Sequence, residues 1–314
     1  MTVDVILPVY CGKRWICEAI DSVLAQTYSK WHLTIVDDGS PDDTLDYVIG
    51  KYGTPGSKIS FLRVAHRAGP GRARMEAIRK THGDVIAFID QDDRWYPEKL
   101  ACQIERLRAT PITQCVHTDV RHIDGNGRKI RGSSKWENRV RAATCYDRLD
   151  AERLTKHLFL HHNTVRLVSA LVLRHAFEKT GGFDETLAGA EDWEFWIRFA
   201  ASGNRMAHIA KPLVERRVHG RNASHQARWR HAHWQATDKL LRIYPELNEF
   251  AERRMANLRC EETMAALVEA RYRDGRRQAL QLICFAPSDW RGYVLLLFSW
   301  LGRIPRSLLL RRIA

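Results

Sequence analysis

Between residue 3 and about residue 109, short apolar runs alternate with helical patterns, and this alternation constrains the fold more than any other feature of the chain. Residues 3–7, 33–36, 59–64 and 85–89 read as strands, with helices near 14–27, 42–51, 71–81 and 97–109. A strand, a crossing helix and a further strand can close only as a right-handed crossover, so a mostly parallel α/β sheet with flanking helices is expected. In the first helix Ala19, Ile20, Val23 and Leu24 fall together and are expected to cover the sheet.

After residue 110 the pattern turns α+β, with a hairpin expected around Gly125-Asn126-Gly127 and a strand near residues 213–218. Residues 226–283 are rich in Arg, Glu, Ala and Leu and read as a helical appendage. The sequence therefore divides into segments 1–109, 110–225, 226–284 and 285–314. In the last of these the apolar stretch 293–301 is followed by Arg303, Arg306, Arg311 and Arg312 with no acidic residue. It is shorter than the ~20 residues a bilayer span needs. A basic amphipathic tail lying in the membrane interface is expected, against a helix packed on the protein or on a second subunit.

A formal net charge of +13 predicts attraction to polyanions, whether nucleotides, nucleic acid or an anionic bilayer. The seven cysteines are scattered and form no Cys-x-x-Cys pair, which argues against a disulfide framework or a structural zinc site. No signal-peptide pattern precedes the first strand, so a cytoplasmic location is expected, peripheral on the inner face of the cytoplasmic membrane if the tail binds lipid.

Carboxylates gather where open α/β sheets present their ligands, at the carboxyl ends of strands. Asp37-Asp38-Gly39-Ser40 follows the second strand, where Asp38 is placed to accept from a base or a ribose; the same tetrapeptide also makes a good turn and cap. Asp90-Gln91-Asp92-Asp93 follows the fourth strand with three carboxylates in four residues. Such crowding favours a hard divalent cation, Mn²⁺ or Mg²⁺, bound through one or two carboxylates and completed by phosphate and water; a solvated acidic turn is the plainer alternative. Between them, Arg67-Ala68-Gly69-Pro70-Gly71-Arg72-Ala73-Arg74 is a basic glycine loop opening a helix, suited to phosphate but lacking the lysine and spacing of a P-loop. Glu191 and Asp192 occupy the first turn of a helix carrying Trp193, Trp196, Ile197 and Ala200 on one face. An ionised Asp192 there is stabilised by the helix dipole and could take a proton, although acids also cap helices for stability alone.

Pro8-Val9-Tyr10, Val36-Asp37-Asp38-Gly39-Ser40, Asp90-Gln91-Asp92-Asp93, Gly181-Gly182-Phe183-Asp184-Glu185 and Glu191-Asp192 occur in the order seen in family 2 glycosyltransferases, and the resemblance covers residues 3–225. It implies a GT-A (Rossmann-like) fold and an inverting, non-processive transfer from a nucleotide-diphosphate sugar, leaning toward a UDP-sugar, to a glycan or polyprenyl-linked hydroxyl. By the same resemblance Pro8, Val9 and Tyr10 line the nucleotide pocket, Asp38 meets the base, Asp90 lies near the ribose, Asp92 ligates the metal and Asp192 is the general base. Arg217-Val218-His219-Gly220-Arg221-Asn222-Ala223-Ser224 is similar to the Arg-x-His-x-x-Asn-x-Ser ending of smaller members, which assigns His219 to the metal or diphosphate. Gly69 and Arg74 match the family's Asn-x-Gly-x-x-x-Ala-Arg-Asn loop, whereas Arg67 and Met75 replace its asparagines. The Gln-x-x-Arg-Trp element of processive synthases is missing. A nucleotidyltransferase and a nucleic-acid-binding protein are the competing readings; the first lacks its glycine-rich loop near the first strand and the second any recognition motif, so no nucleic-acid partner is expected.

Overall fold

The computed structural model of the chain describes residues 1–54, 56, 58–64, 69–130, 146–161, 164–187, 189–220 and 227–301. The chain divides into two compact units, Met1–His219 and Gly220–Ala314.

The first unit is organised on β1 (Val3–Val9), whose seven residues are all buried. A strand buried on both faces needs cover above and below and a neighbour at each edge. β2 (Trp31–Asp37) and β4 (Val85–Phe88) pair with it in parallel, in register at Val3 with Trp31 and Val85, and β3 (Ile59–Arg63) extends the parallel set beyond β2. Helices α1 (Ile16–Leu24), α2 (Thr44–Tyr52), α3 (Pro70–Ile78) and α4 (Lys99–Ala109) lie between or after these strands. Beyond β4 the sheet turns mixed: β7 (Leu171–Leu173) is antiparallel to β4 and to β6 (Cys115–Ile123). β8 (Met206–Arg217) runs parallel to β6, and β5 (Arg94–Trp95) pairs antiparallel at its far edge, giving the order β3-β2-β1-β4-β7-β6-β8-β5 among the described residues. Among the described residues the remaining α-helices of this unit are α5 (Ala151–Leu160), α6 (Arg174–Lys179) and α7 (Glu191–Ala201).

Two expectations shift in detail. α1 buries Ile16, Ala19, Ile20 and Val23, whereas Leu24 is exposed, because at 100° per residue it sits at the flank of the stripe. The hairpin expected at Gly125-Asn126-Gly127 is a turn held by Asp124, whose carboxylate accepts from the amides of Asn126 and Arg128, both at 2.9 Å. Among the described residues its returning arm makes one bridge, Ile123 to Lys129.

Alternation along the strands separates two cores. Val5, Leu7, Ala87 and Ile89 pack with Ala19, Ile20, Leu100 and Ile104 in one cluster. Phe88, facing the other way, enters an aromatic set with Phe177, Phe183 and Phe195. Each such ring contributes roughly 1.5–3 kcal/mol by its burial. α7 is consequently buried on more than the single face expected: Phe195 and Phe199 join Trp193, Trp196, Ile197 and Ala200 in the interior, and Glu194 is buried by pairing with Arg198 at 2.7 Å. This packing fixes the helix whose first turn carries Asp192.

The second unit is helical: α8 (Ala227–Ile243), α9 (Ala251–Val268), α10 (Tyr272–Phe285) and α11 (Trp290–Leu301). Ala256, Cys260, Leu267, Ala279, Leu282, Ala286 and Leu295 form its core, mostly small residues that let the helix backbones approach. No helix among the described residues is long and apolar enough to cross a membrane.

Candidate active site

The parallel register ends β1, β2 and β4 at one edge. Val9 pairs with Asp37, and the Asp38 amide donates to the Val9 carbonyl at 2.8 Å, so Pro8, Val9, Tyr10 and Asp38 are neighbours by strand geometry. Gln91 joins the acidic turn to this edge, its Oε1 accepting from the Tyr10 amide at 2.8 Å and its Nε2 donating to the Tyr10 carbonyl at 3.2 Å. Asp37 is buried and turned inward, where Ser40 donates to it through amide and hydroxyl. Asp38 accepts from the Gly69 amide at 3.0 Å, which brings two of the expected donor-site residues into direct contact. Arg67, Arg221, Asn222 and Ser224 lie outside the described residues.

The acidic turn is held from the far end of the sheet. Arg217, at the end of β8, donates its amide to Asp93 Oδ1 at 2.8 Å and its Nε to the Asp92 carbonyl at 2.9 Å, while its Nη2 pairs with Glu18 at 2.7 Å. Asp93 is thereby buried, and burial together with the charges of Asp92 and Asp90 pushes its carboxyl well above the ordinary aspartate range. Two residues beyond Arg217, His219 Nε2 meets Asp92 Oδ2 at 2.8 Å. The imidazole stacks on Trp15 with centroids 4.4 Å apart, and the indole donates to the Gly125 carbonyl at 3.2 Å. Trp15 orients the ring and is a site residue that no sequence motif marks.

Asp92 and His219 supply one oxygen and one nitrogen donor at the same point. Among the described residues no cluster of three or more His, Cys, Asp or Glu is arranged to hold a metal. The pair thus fits a hard cation that takes most of its ligands from phosphate and water, and does not fit a closed protein cage.

A second cluster forms around Arg74, buried in α3. Its Nη2 pairs with Asp90 Oδ1 at 2.6 Å and its Nη1 with Glu191 Oε1 at 3.1 Å, so one guanidinium ties the acidic turn to the first turn of α7. The approach is close enough that a Cβ at Gly71 would lie 2.8 Å from Glu191 Cγ, which explains glycine there. Met75, which stands where the family has asparagine, places its sulfur 3.4 Å from the Phe183 amide. Gly182 lies over the same side chain at φ +65°, a backbone conformation that favours glycine. Arg198 of α7 donates its Nη2 to the Gly182 carbonyl at 2.6 Å, so this glycine turn supports α7.

Asp192 accepts from the Trp193 amide at 2.8 Å and lines a small cleft with Leu158, His161, Thr164, Val165 and Trp196. Burial raises the Asp192 carboxyl above its ordinary range, and the nearby Arg74 opposes the rise. Glu191 is pushed up to about 7, by burial first and by Asp192 second, again against Arg74. The structure thus gathers Asp90, Arg74, Glu191 and Asp192 in one cluster and Asp92 with His219 beside it along the acidic turn; Glu191 is the member for which the motif alone gave no role.

Sheet order, paired strand-end carboxylates and a buried acid at a helix start define a GT-A-type fold. Residues 4–177, more than half of the chain, match the model for glycosyl transferase family 2. The chain is 29% identical over 222 residues to an Escherichia coli chondroitin synthase, covering 71% of this chain and 30% of that protein's length. The structure of S. aureus TarS 1–349 in complex with UDP-GlcNAc superposes with a TM-score of 0.62 at 16% identity, covering 96% of this chain and 89% of that one. The mannosyltransferase PcManGT from Pyrobaculum calidifontis, in complex with GDP-Man and Mn²⁺, gives 0.62 at 20% identity and covers 96% and 86%. The chain belongs to glycosyl transferase family 2 and has a GT-A fold. Neither the nucleotidyltransferase nor the nucleic-acid reading gains an observation from these likenesses.

Proposed function

We propose that the protein transfers a sugar from a nucleotide diphosphate, a UDP-sugar in the first instance, to a hydroxyl of a glycan or of a polyprenyl-linked glycan, with inversion at the anomeric carbon. The observation that carries this reading is the Arg74 bridge, which joins the strand-end carboxylate Asp90 to the start of α7 and so sets Asp192 beside the donor edge. Residues 1–109 act as the donor half and 110–225 as the acceptor half. Pro8, Val9, Tyr10 and Asp38 receive the base, Asp90 the ribose, and the Gly69 loop with Arg74 the phosphate side.

Asp92 and His219 are the residues that would hold Mn²⁺ or Mg²⁺, and the cation would neutralise charge on the departing diphosphate. Asp192 takes the proton of the acceptor hydroxyl as that oxygen attacks from the face opposite the leaving group. One base suffices, since no covalent intermediate is formed. The complexes of TarS with UDP-GlcNAc and of PcManGT with GDP-Man and Mn²⁺ support a nucleotide-sugar donor and a divalent ion.

Replacing Asp92 with alanine is expected to lower Mn²⁺-dependent UDP affinity by at least about tenfold, read by calorimetry with and without the metal, because one of two protein ligands is lost. Unchanged affinity in the presence of Mn²⁺ would refute the metal assignment. The pH profile tests the base separately. A base must be ionised to accept a proton, and the Asp192 carboxyl lies above its ordinary value next to Glu191 at about 7. Turnover should therefore rise with pH on an acid limb that lies above the ordinary aspartate range, as the coupled pair loses its proton. A kcat that stays flat down into the ordinary aspartate range would contradict this placement.

A further inference from the structure

α11 faces two ways. Gly292, Leu295 and Ser299 point inward, with Leu295 in the core of the second unit and the Gly292 backbone against Ile283 of α10. On the opposite side Trp290 is 62% exposed, Tyr293 50%, Leu297 56%, Trp300 69% and Leu301 60%. Steps of three and four residues align these five on one stripe, so a single short helix carries a continuous apolar surface in water.

The chemistry of the stripe selects its occupant. Two tryptophans and a tyrosine combine a large apolar body with a polar N–H or O–H, the combination that settles at the boundary between acyl chains and headgroups. Positive charge borders it: the Arg276 guanidinium lies 4.2 Å over the Trp300 ring, and Arg273 and Arg277 are exposed on α10; the sequence that follows Leu301 carries Arg303, Arg306, Arg311 and Arg312 and no acid. A second copy pressed on the same face would set arginine against arginine, with no carboxylate on the stripe to answer it. A layer of lipid phosphates answers both the charge and the apolar stripe. The helix of 12 residues is about 18 Å long against a hydrocarbon core of about 30 Å, so it lies along the interface.

We propose that the outer face of α11, through Trp290, Tyr293, Leu297, Trp300 and Leu301, is the surface by which the protein seats on an anionic bilayer. This inference is independent of the donor and base assignments. The test is flotation of the full chain with vesicles of phosphatidylcholine containing phosphatidylglycerol, against vesicles of phosphatidylcholine alone, for the native protein and for W290S/W300S. The native protein should float with the anionic vesicles, show a blue shift of tryptophan emission and detach at high salt. The variant, altered only at exposed positions, should partition at least about tenfold less while keeping its unfolding midpoint and its hydrolysis of donor without vesicles. Equal flotation of the two proteins, or no flotation of either, would overturn the proposal. So would sedimentation showing a dimer that W290S/W300S dissolves, which would assign the face to a second copy. Loss of donor hydrolysis with vesicle binding intact would count against the transferase mechanism and leave the membrane surface standing.

Discussion

Asp192→Asn is expected to lower kcat by roughly 10²–10⁴-fold while nucleotide affinity stays within about twofold of native, because only the proton-transfer step is removed. The asparagine keeps the shape of the side chain and can still accept from the Trp193 amide through its carbonyl oxygen, so α7 retains its start. Initial rates with donor and acceptor, beside calorimetric titration of UDP, separate the two quantities. Turnover near the native value would exclude Asp192 as the base. A parallel loss of nucleotide affinity would mean that the substitution acts through the Arg74 cluster and not on the proton.

Arg74→Met carries the largest expected cost in stability. The methionine fills much of the same space but leaves Asp90, Glu191 and Asp192 without their shared cation, and removal of one partner from a buried ion pair costs about 3–5 kcal/mol. The sign of its pH dependence follows from Glu191. That carboxyl has a folded-state value above the ordinary 4.5, at about 7, so the folded protein carries the unpaired charge only as pH rises through that range. Without Arg74, which holds the value down, the transition moves higher still. Urea denaturation should accordingly show a loss that grows as pH rises above about 7, larger at pH 8 than near pH 5. The same loss at both values, or less than about 1 kcal/mol at pH 8, would show that the guanidinium is not holding the cluster together.

Much of the parallel half was legible because its signals are local. The four apolar runs and the helices between them follow from periodicity within a few residues, and the structure moves their ends by only a few positions. β6 escaped because Cys-Val-His-Thr-Asp-Val-Arg-His-Ile does not read as an apolar run. It is buried because partners far along the chain satisfy its polar groups, as His208 does for Asp119 at 2.9 Å. β5 and β7, two and three residues long, are strands only through their neighbours. The site divides in the same way. Asp38, Asp90, Asp92 and Asp192 stand in motifs, yet the Arg74–Glu191 bridge spans 117 residues and the stacking of Trp15 on His219 joins opposite ends of the unit. Such contacts leave no mark in spacing, and only a charged residue at an otherwise buried helix position, as Arg74 is, hints at them.

Arg217 ties the acidic turn to a strand completed more than a hundred residues later: its Nε reaches the Asp92 carbonyl across 125 positions, and His219 follows it. A chain emerging from the ribosome presents its amino-terminal part first. The strands β1 to β4 have one another to pair with as soon as they appear, but the turn after β4 waits for the clamp at the end of β8. Synthesis therefore delays the assembly of the Asp92–His219 pair until nearly the whole first unit has been made, and a chain released before residue 217 would lack both the clamp and the histidine.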